Sequence, residues 1–233
     1  MSQSLQGKNV IVTGGFGVLG RALGQSLLER GARVALLDRA EAPKSLLDMQ
    51  NLLSLGGVDL TSAESAKAAL AQVAEHFGRI DGLVNVAGGF AWETLEAGSL
   101  ETWDRMYQMN VKTAVVSCQA ALPHLLASPA GRIVNIGALA SLKAGQGMGA
   151  YAASKAGVAR LTEALAEEVK DQGVTVNAVM PSIIDTPSNR ADMPEADASR
   201  WVSPAALAGV IAFLLSDEAA VITGACLPVS GRV

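Results

Sequence analysis

Short apolar runs alternate with longer segments of helical periodicity along the whole chain. Three of these runs are NVIVTGG (9–15), ARVALLD (32–38) and DGLVNVAG (81–88). Between the first two, Leu19, Leu23 and Leu27 share one face of a predicted helix over 18–29. Continuous apolar runs separated by helices are typical of parallel strands that are buried on both faces. The alternation therefore predicts an α/β fold in which helices cover both faces of a doubly wound parallel sheet of about seven strands.

Length, charge and cysteine content exclude several classes of protein. The 233 residues suit one large domain, which we expect to span 1–233. A net charge of −4 shows no basic excess, so neither nucleic acid nor anionic membrane is an expected partner. Two widely separated cysteines indicate a reducing compartment and no metal site. The start MSQSLQGKNV lacks a signal-peptide pattern and no apolar stretch is long enough to span a membrane, so we expect a cytoplasmic protein.

Two segments carry more specific structural expectations. The run LLSLGGVDL (52–60) is predicted to be the third strand, after an unusually short connection. The segment 100–126 is predicted to be one long helix with a break near Pro123, because proline lacks the amide proton that a helix interior needs.

A glycine-rich turn follows the first predicted strand and opens the first predicted helix. In VTGGFGVLG, the residues Gly14, Gly17 and Gly20, with Leu19 between them, allow the backbone to turn tightly and approach a diphosphate at the helix N-terminus. Asp38 ends the second predicted strand, where its carboxylate can accept hydrogen bonds from ribose hydroxyls. A tight turn without ligand and an ordinary turn aspartate are the alternatives. Together in one βαβ unit, the two features predict the dinucleotide site of a Rossmann fold.

The residue after the second strand bears on the choice of cofactor. The Asp38 carboxylate would repel a 2′-phosphate, which favours NAD. Arg39 follows directly and would instead attract that phosphate. We predict NAD, with NADP as the less favoured alternative.

A tyrosine and a lysine are spaced for acid–base chemistry. Tyr151 and Lys155 stand at positions i and i+4, so they share a face of the predicted helix over 151–170. A neighbouring ammonium favours the phenolate, so we expect Lys155 to lower the pKa of Tyr151 towards neutral pH. Tyr151 would then donate a proton to the bond being reduced, while a nicotinamide supplies hydride. The alternative is an exposed helix pair without a catalytic role.

These features resemble the short-chain dehydrogenase/reductase family over nearly the whole chain. The further matching positions are Asp59 in VDL, Asn85, Ala87 and Gly88 in NVAG, Asn110 in MNVKTA, and Pro181, Ile183 and Thr186 in VNAVMPSIIDT. The resemblance implies that Asp59 contacts adenine, that the stretch ending at Thr186 holds the nicotinamide, and that Lys155 bonds its ribose. It also implies that Asn110 joins Tyr151 and Lys155 in the catalytic set by holding a water of a proton relay.

The chain departs from the family pattern at three places. Val18 stands where the middle glycine of the turn belongs, and Gly17 comes one residue early. Ser182 replaces the glycine of the family's Pro-Gly pair. Ala138 occupies the position of the catalytic serine, whose hydroxyl normally polarises the substrate carbonyl, and Ser141 is a candidate replacement.

One branch of the family, quinonoid dihydropteridine reductase, shares the alanine and uses NADH. The chain is similar to it in GGFA (88–91), in GQGMGAY and in the irregular stretch 185–201, although Asn110 follows the wider family. On this basis Asn189, Arg190 and Trp201 are predicted to recognise a planar polar ring. A solvated surface loop is the alternative.

The apolar content of two predicted helices indicates a homo-oligomer, either a tetramer or a dimer. The residues that suggest a second apolar face are Met106, Met109, Val115 and Val116 on one helix, and Val158, Leu161 and Leu165 on the other.

The predicted function is transfer of hydride from a nicotinamide to a small activated C=N or C=O substrate, such as a quinonoid dihydropterin. The alternatives are a ketone reductase of the 3-oxoacyl type and a dinucleotide-binding protein without catalytic activity.

Overall fold

The computed structural model describes residues 4–47 and 49–233, and they form one parallel sheet with helices on both faces. The strands are β1 (Asn9–Thr13), β2 (Arg33–Leu37), β3 (Leu52–Leu55), β4 (Gly82–Asn85), β5 (Arg132–Ile136), β6 (Thr175–Pro181) and β7 (Cys226–Val229). Their order across the sheet is β3-β2-β1-β4-β5-β6-β7, and every neighbouring pair is parallel. The predicted fold class is confirmed. From β1 the chain continues to β2 on one side of the sheet, whereas from β4 it continues to β5 on the other side. A crevice therefore forms between the carboxyl ends of β1 and β4.

The described residues form seven α-helices, and those that flank the sheet cover both of its faces. They are α1 (Val18–Glu29), α2 (Ala63–Phe77), α3 (Leu100–Met106), α4 (Thr113–Leu126), α5 (Gly149–Val169), α6 (Pro187–Asp192) and α7 (Pro204–Leu215). In β1, Val10 and Val12 join the core cluster under α1 and α7, whereas Ile11 joins the cluster under α2, α4 and α5. This alternation of fully buried side chains is why the strand reads as a continuous apolar run.

The expected helix over 100–126 is interrupted, but not at Pro123. A π-helical segment, Tyr107–Lys112, separates α3 from α4. Pro123 lies inside α4 instead, near the end of that helix. Pro123 and Gln119 are both exposed, so water can satisfy the Gln119 carbonyl that the proline leaves without an amide partner. The wider π turn, rather than a proline kink, determines how this helix presents its residues to the sheet.

Two other expectations need correction. The third strand ends at Leu55 rather than at residue 60, since Gly57 has a φ of +72° and turns the chain away from the sheet. Most of the side chains proposed for subunit contact face the protein's own core: Met106, Val116, Val158 and Leu165 are all buried. Among the described residues, no helix is both long and apolar enough to cross a bilayer.

Candidate active site

The glycine turn lies at the carboxyl end of β1 and packs tightly against its surroundings. Gly14 has a φ of +61°, and a Cβ built there would approach the Ala87 backbone within 2.9 Å. A Cβ on Gly20 would collide with the Gly14 carbonyl oxygen. Gly15, which the sequence did not single out, is equally constrained, because a Cβ would come 2.6 Å from the Leu36 Cβ. By contrast, a Cβ on Gly17 would meet only the Gly14 oxygen at 3.4 Å, so sterics do not require glycine there.

The N-terminus of α1 is open to an anionic ligand. Gly17 is the N-cap residue with extended backbone, and no side chain caps the helix. The first turn contains no acidic residue, so its free amides face no local competitor. Val18, at the position of the missing glycine, has an exposed side chain, and Leu19 is buried. An uncapped helix start beside a glycine turn fits the diphosphate of a dinucleotide.

Asp38 lies at the end of β2, next to this turn. Its Oδ2 accepts a hydrogen bond from the Phe16 amide at 3.0 Å, and its Oδ1 accepts one from the Ala40 amide at 3.0 Å. Each carboxylate oxygen keeps a further acceptor position, so Asp38 can anchor the turn and still receive ribose hydroxyls. Arg39 is exposed beside it.

Asp59 is placed less favourably for its expected role. Its Oδ1 accepts hydrogen bonds from both the amide and the hydroxyl of Thr61, at 2.9 and 2.8 Å. These two bonds hold the pKa of the Asp59 carboxyl below its ordinary value. These bonds commit one of the two Asp59 oxygens to a local turn, while the residue as a whole is exposed.

Asn85 does not reach the crevice. Its side chain is buried, and its Nδ2 donates to the Asn135 Oδ1 at 2.8 Å and to the Cys118 Sγ at 3.3 Å. Asn135 in turn donates to the Thr162 hydroxyl at 2.9 Å. This network connects β4, β5 and α5 inside the core, so the Asn85 side chain is structural rather than a cofactor contact.

Ala87 and Gly88 follow β4 and do line the crevice. The Ala87 amide donates to the Thr13 hydroxyl at 3.1 Å, which joins this loop to the end of β1. A Cβ on Gly88 would come 2.5 Å from the Asn110 Oδ1 and 3.5 Å from the Lys155 Nζ. Glycine at position 88 thus lets two of the predicted catalytic side chains approach the same stretch of backbone.

Asn110 enters the site from the π-helical segment. It is buried, and its Nδ2 donates to the Ser154 hydroxyl at 2.9 Å and to the Gly89 carbonyl at 3.1 Å. Its Oδ1 accepts from the Gly89 amide at 2.9 Å. The amide therefore fixes the loop after β4 against helix α5.

Lys155 and Tyr151 lie on helix α5 beside this loop. The buried Lys155 Nζ donates to the Ile136 carbonyl at 2.8 Å and lies 6.0 Å from the centroid of the Tyr151 ring. Burial lowers the pKa of Lys155 to about 8 and raises the pKa of Tyr151 to about 12. The expected lowering of the tyrosine pKa is thus wrong for the protein alone, because removal of water from the phenolate dominates. Tyr151 keeps its proton at neutral pH and is able to donate it.

The position of the family's catalytic serine contains no hydroxyl. Ala138 is buried, and the Ser141 hydroxyl donates to the Ala138 carbonyl at 2.7 Å and lies 3.6 Å from the Met180 Sδ. The one proton of that hydroxyl is committed to the backbone, so Ser141 does not replace the serine in this conformation. Instead, the Phe90 ring packs edge-on against Tyr151, with 4.9 Å between centroids. In the sequence, Phe90 appears only as part of the GGFA stretch (88–91), and nothing there indicates its contact with Tyr151.

The segment after β6 closes on itself. Pro181 is buried at the strand end, the Ile183 carbonyl accepts from the Val202 amide at 2.9 Å, and the Thr186 hydroxyl caps α6 through the Asn189 amide at 3.2 Å.

The three side chains predicted to recognise a ring are engaged within this segment. Arg190 pairs with both oxygens of Asp185 at 2.6 and 2.9 Å, and the Asn189 Nδ2 donates to the Ile184 carbonyl at 2.8 Å. Trp201 is only 8% exposed. This conformation therefore does not present them to a substrate.

A small cavity of about 110 Å³ lies near the site, between the 91–103 segment and the start of α5. Its lining includes Glu93, Trp103 and Ala150 but neither Tyr151 nor Lys155. Within the described residues, no group of His, Cys, Asp and Glu is arranged to bind a metal ion.

Comparison with known proteins agrees with this geometry. The sequence pattern of the short chain dehydrogenase family matches residues 8–197. The chain is 32% identical to 2-(S)-hydroxypropyl-CoM dehydrogenase 3 of Xanthobacter autotrophicus, with 99% of this chain and 98% of that protein covered. It is 33% identical to the 3-oxoacyl-[acyl-carrier-protein] reductase FabG of Vibrio cholerae, with 98% of each covered.

Solved structures agree as well. An aldohexose dehydrogenase of Thermoplasma acidophilum superposes with a TM-score of 0.89 at 28% identity, covering 100% of this chain and 96% of that one. A short-chain dehydrogenase/reductase of Serratia marcescens gives 0.88 at 32% identity, covering 98% of each. These relatives confirm the predicted family and give no support to the dihydropteridine reductase branch. The chain belongs to the short-chain dehydrogenase/reductase family and is an NAD(P)-dependent oxidoreductase.

Proposed function

We propose that the protein reduces a small activated ketone with NADH, using Tyr151 as the proton donor. The observation that carries this proposal is that Lys155 and Asn110 meet at the Gly88 backbone, with the Tyr151 ring beside Lys155 and protonated at neutral pH. When bound, the dinucleotide supplies the hydride for the carbonyl carbon. Tyr151 donates its proton to the carbonyl oxygen, and the charged Lys155 stabilises the phenolate that remains.

The residues of the crevice fit a dinucleotide. The turn between Gly14 and Gly20 and the free amides of α1 would hold the diphosphate, and Asp38 would bind the adenosine ribose and disfavour a 2′-phosphate. Lys155 and the 181–186 segment would hold the nicotinamide end, and Asp59 would contact the adenine through its remaining oxygen. Asn110 would keep the loop after β4 in place and would hold a water that relays protons.

Ala138 indicates that the substrate carbonyl must be activated already. With alanine in place of the serine, the site has one hydroxyl fewer to polarise the substrate oxygen, so activation has to come partly from an electron-withdrawing group next to the substrate carbonyl. The relatives are named for hydroxypropyl-CoM and for 3-oxoacyl groups, which supports a carbonyl rather than an imine. A quinonoid dihydropterin stays a second candidate because Ala138 suits an acceptor that needs little polarisation.

The test follows NADH absorbance with purified protein and four acceptors: a ring ketone activated by an adjacent carbonyl, a plain alkyl ketone, an acetoacetyl thioester and quinonoid dihydropterin. We expect the activated ring ketone to give the highest kcat/KM. Tyr151→Phe should lower that value by roughly 10²–10⁴-fold. The protein's other tyrosine, Tyr107, provides a matched control, and Tyr107→Phe should leave the rate unchanged. A fast plain ketone, or a Tyr151→Phe variant with full activity, would contradict the proposal.

We further propose that the chain functions as one domain in a homo-oligomer. All seven strands belong to one sheet, and apolar side chains remain exposed on α3, on the π segment and on β7, including Leu100 (80%), Tyr107 (54%) and Leu227 (39%). Light scattering at micromolar concentration should give a dimer or tetramer, and a monomer would contradict this. Cys118 and Cys226 are both free, which supports a reducing, cytoplasmic location.

A further inference from the structure

Two exposed aromatic side chains, which we call the aromatic wall, lie near the start of α5: Phe90 contacts Tyr151, and Trp92 contacts Gly147 in the loop before that helix. The chain contains only four Phe, three Trp and two Tyr, so aromatic residues are scarce. Nevertheless, Phe90 and Trp92 leave 56% and 59% of their surface exposed. Exposing two large rings next to a proton donor costs hydration free energy, which a ring-shaped ligand would recover by covering them.

The wall is held in place by direct contacts. The Phe90 ring meets Tyr151 edge-on, at 4.9 Å between centroids and 77° between planes. The Trp92 indole lies against Gly147 so closely that a Cβ there would collide with it. Next to it, the Glu93 amide donates to the Gly147 carbonyl at 2.8 Å. The loop that carries the rings is thus joined to the loop that leads into α5, with Phe90 on Tyr151 itself and Trp92 on Gly147, four residues before it.

The charges around the wall disfavour an anionic substrate. The segment 91–105 contains four acidic side chains, Glu93, Glu96, Glu101 and Asp104, against one basic residue, Arg105. The opposite loop, 139–150, contributes one charge, the exposed Lys143. In the segment after β6, Arg190 is already paired with Asp185. A phosphate-bearing substrate would need several free cations at such a site.

We propose that the aromatic wall selects a neutral, planar ring ketone, which stacks on Phe90 and Trp92, over a 3-oxoacyl thioester carried on a phosphopantetheine arm. This inference rests on the proposed function, since it places the ring so that its carbonyl oxygen meets the Tyr151 hydroxyl. In the reaction, hydride adds to the carbonyl carbon and the tyrosine proton to the oxygen. One ketone, one NADH and one proton become one secondary alcohol and one NAD⁺.

The first experiment separates ring recognition from charge. We would measure KM and kcat for isatin, a neutral planar ring ketone activated by its adjacent amide carbonyl, for a small alkyl ketone, for acetoacetyl-CoA and for the neutral acetoacetyl thioester of N-acetylcysteamine. Isatin should give the lowest KM, and the neutral thioester should be reduced better than its CoA counterpart. Trp92→Ala should raise the KM for isatin relative to the alkyl ketone by roughly three- to tenfold, and Trp92→Phe should restore most of the preference. Leu95→Ala, in a still more exposed apolar position of the same segment, is the control and should change nothing.

The second experiment measures binding without turnover. Titrating isatin into the Tyr151→Phe variant with bound NAD⁺ should quench tryptophan fluorescence, and Trp92→Phe should remove most of the quenching. Quenching without any reductase activity in the wild type would overturn the role of Tyr151 but keep the ring site. Two results would overturn the ring site and keep the proposed function. One is Tyr151-dependent activity in which Trp92→Ala leaves the ratio of the ring-ketone KM to the alkyl-ketone KM unchanged. The other is a preference for acetoacetyl-CoA over the neutral thioester.

Discussion

Replacing the buried lysine Lys155 with methionine is expected to stabilise the protein while it removes activity. Burial lowers the pKa of Lys155 from 10.5 to about 8, which corresponds to about 3 kcal/mol of destabilisation by the buried charge. Against this, methionine loses the hydrogen bond to the Ile136 carbonyl, worth about 1–2 kcal/mol. Methionine has a similar length and no charge, so the net gain at pH 7 should be about 1–2 kcal/mol.

The gain should depend on pH in a defined direction. Below pH 8 the lysine is protonated in both the folded and the unfolded state, and the whole penalty of burial is present. Between pH 8 and 10.5 the folded state loses the proton first, so the unfolded state binds more protons and wild-type stability rises with pH. The methionine variant lacks this titration. Its advantage should therefore be largest at neutral pH and should shrink as pH approaches 10.5.

Urea unfolding of the dinucleotide-free protein at pH 7 and pH 10, at one protomer concentration, measures both effects. Lys143→Met, at an exposed lysine, is the matched control and should leave stability unchanged at both pH values. A methionine variant that is less stable than wild type at pH 7, or an advantage that does not vary with pH, would show that the Lys155 ammonium is solvated and that the reasoning fails.

Three further predictions test the site by substitution. Asp38→Ala should weaken NADH binding by about tenfold or more, because the ribose hydrogen bonds and the bond to the Phe16 amide are lost, and should weaken NADPH binding less. If calorimetry finds that NADPH is the tighter ligand of the wild type, Arg39 rather than Asp38 determines the cofactor preference. Ala138→Ser should raise kcat/KM for a plain ketone by roughly 10²–10³, whereas Ser141→Ala should have little effect, and loss of activity in the latter would mean that the serine has moved. Gly20→Ala should destabilise the fold by about 1–3 kcal/mol in urea unfolding while Gly17→Ala should not, and equal effects would refute the steric assignment.

Local sequence determined the fold and the identity of the crevice. The apolar run around Val10 and Val12 and the leucine face of α1 are short-range patterns, and they fix which segments become strands and helices. The glycine turn and Asp38 lie within one βαβ unit, so their relative position follows from the connection itself. Tyr151 and Lys155, one helical turn apart, likewise lie side by side as their spacing predicts. The predicted positions of such neighbours agree with the structure, whereas the predicted lowering of the Tyr151 pKa does not.

The tertiary structure decided what those residues experience. Whether Asn85 faces the cofactor or the core depends on Asn135, 50 residues away, because strand β5 pairs with β4 in the folded sheet. The pKa of Tyr151 depends on how much water the surrounding loops exclude, and Phe90 reaches it from a loop 61 positions earlier. Neither the π turn that delivers Asn110 nor the bond that occupies the Ser141 hydroxyl has a signature in a window of neighbouring residues. Residue spacing along the chain identified the candidate catalytic groups. Their burial and hydrogen-bond partners arise from packing between distant segments, so only the folded chain set their protonation and contacts.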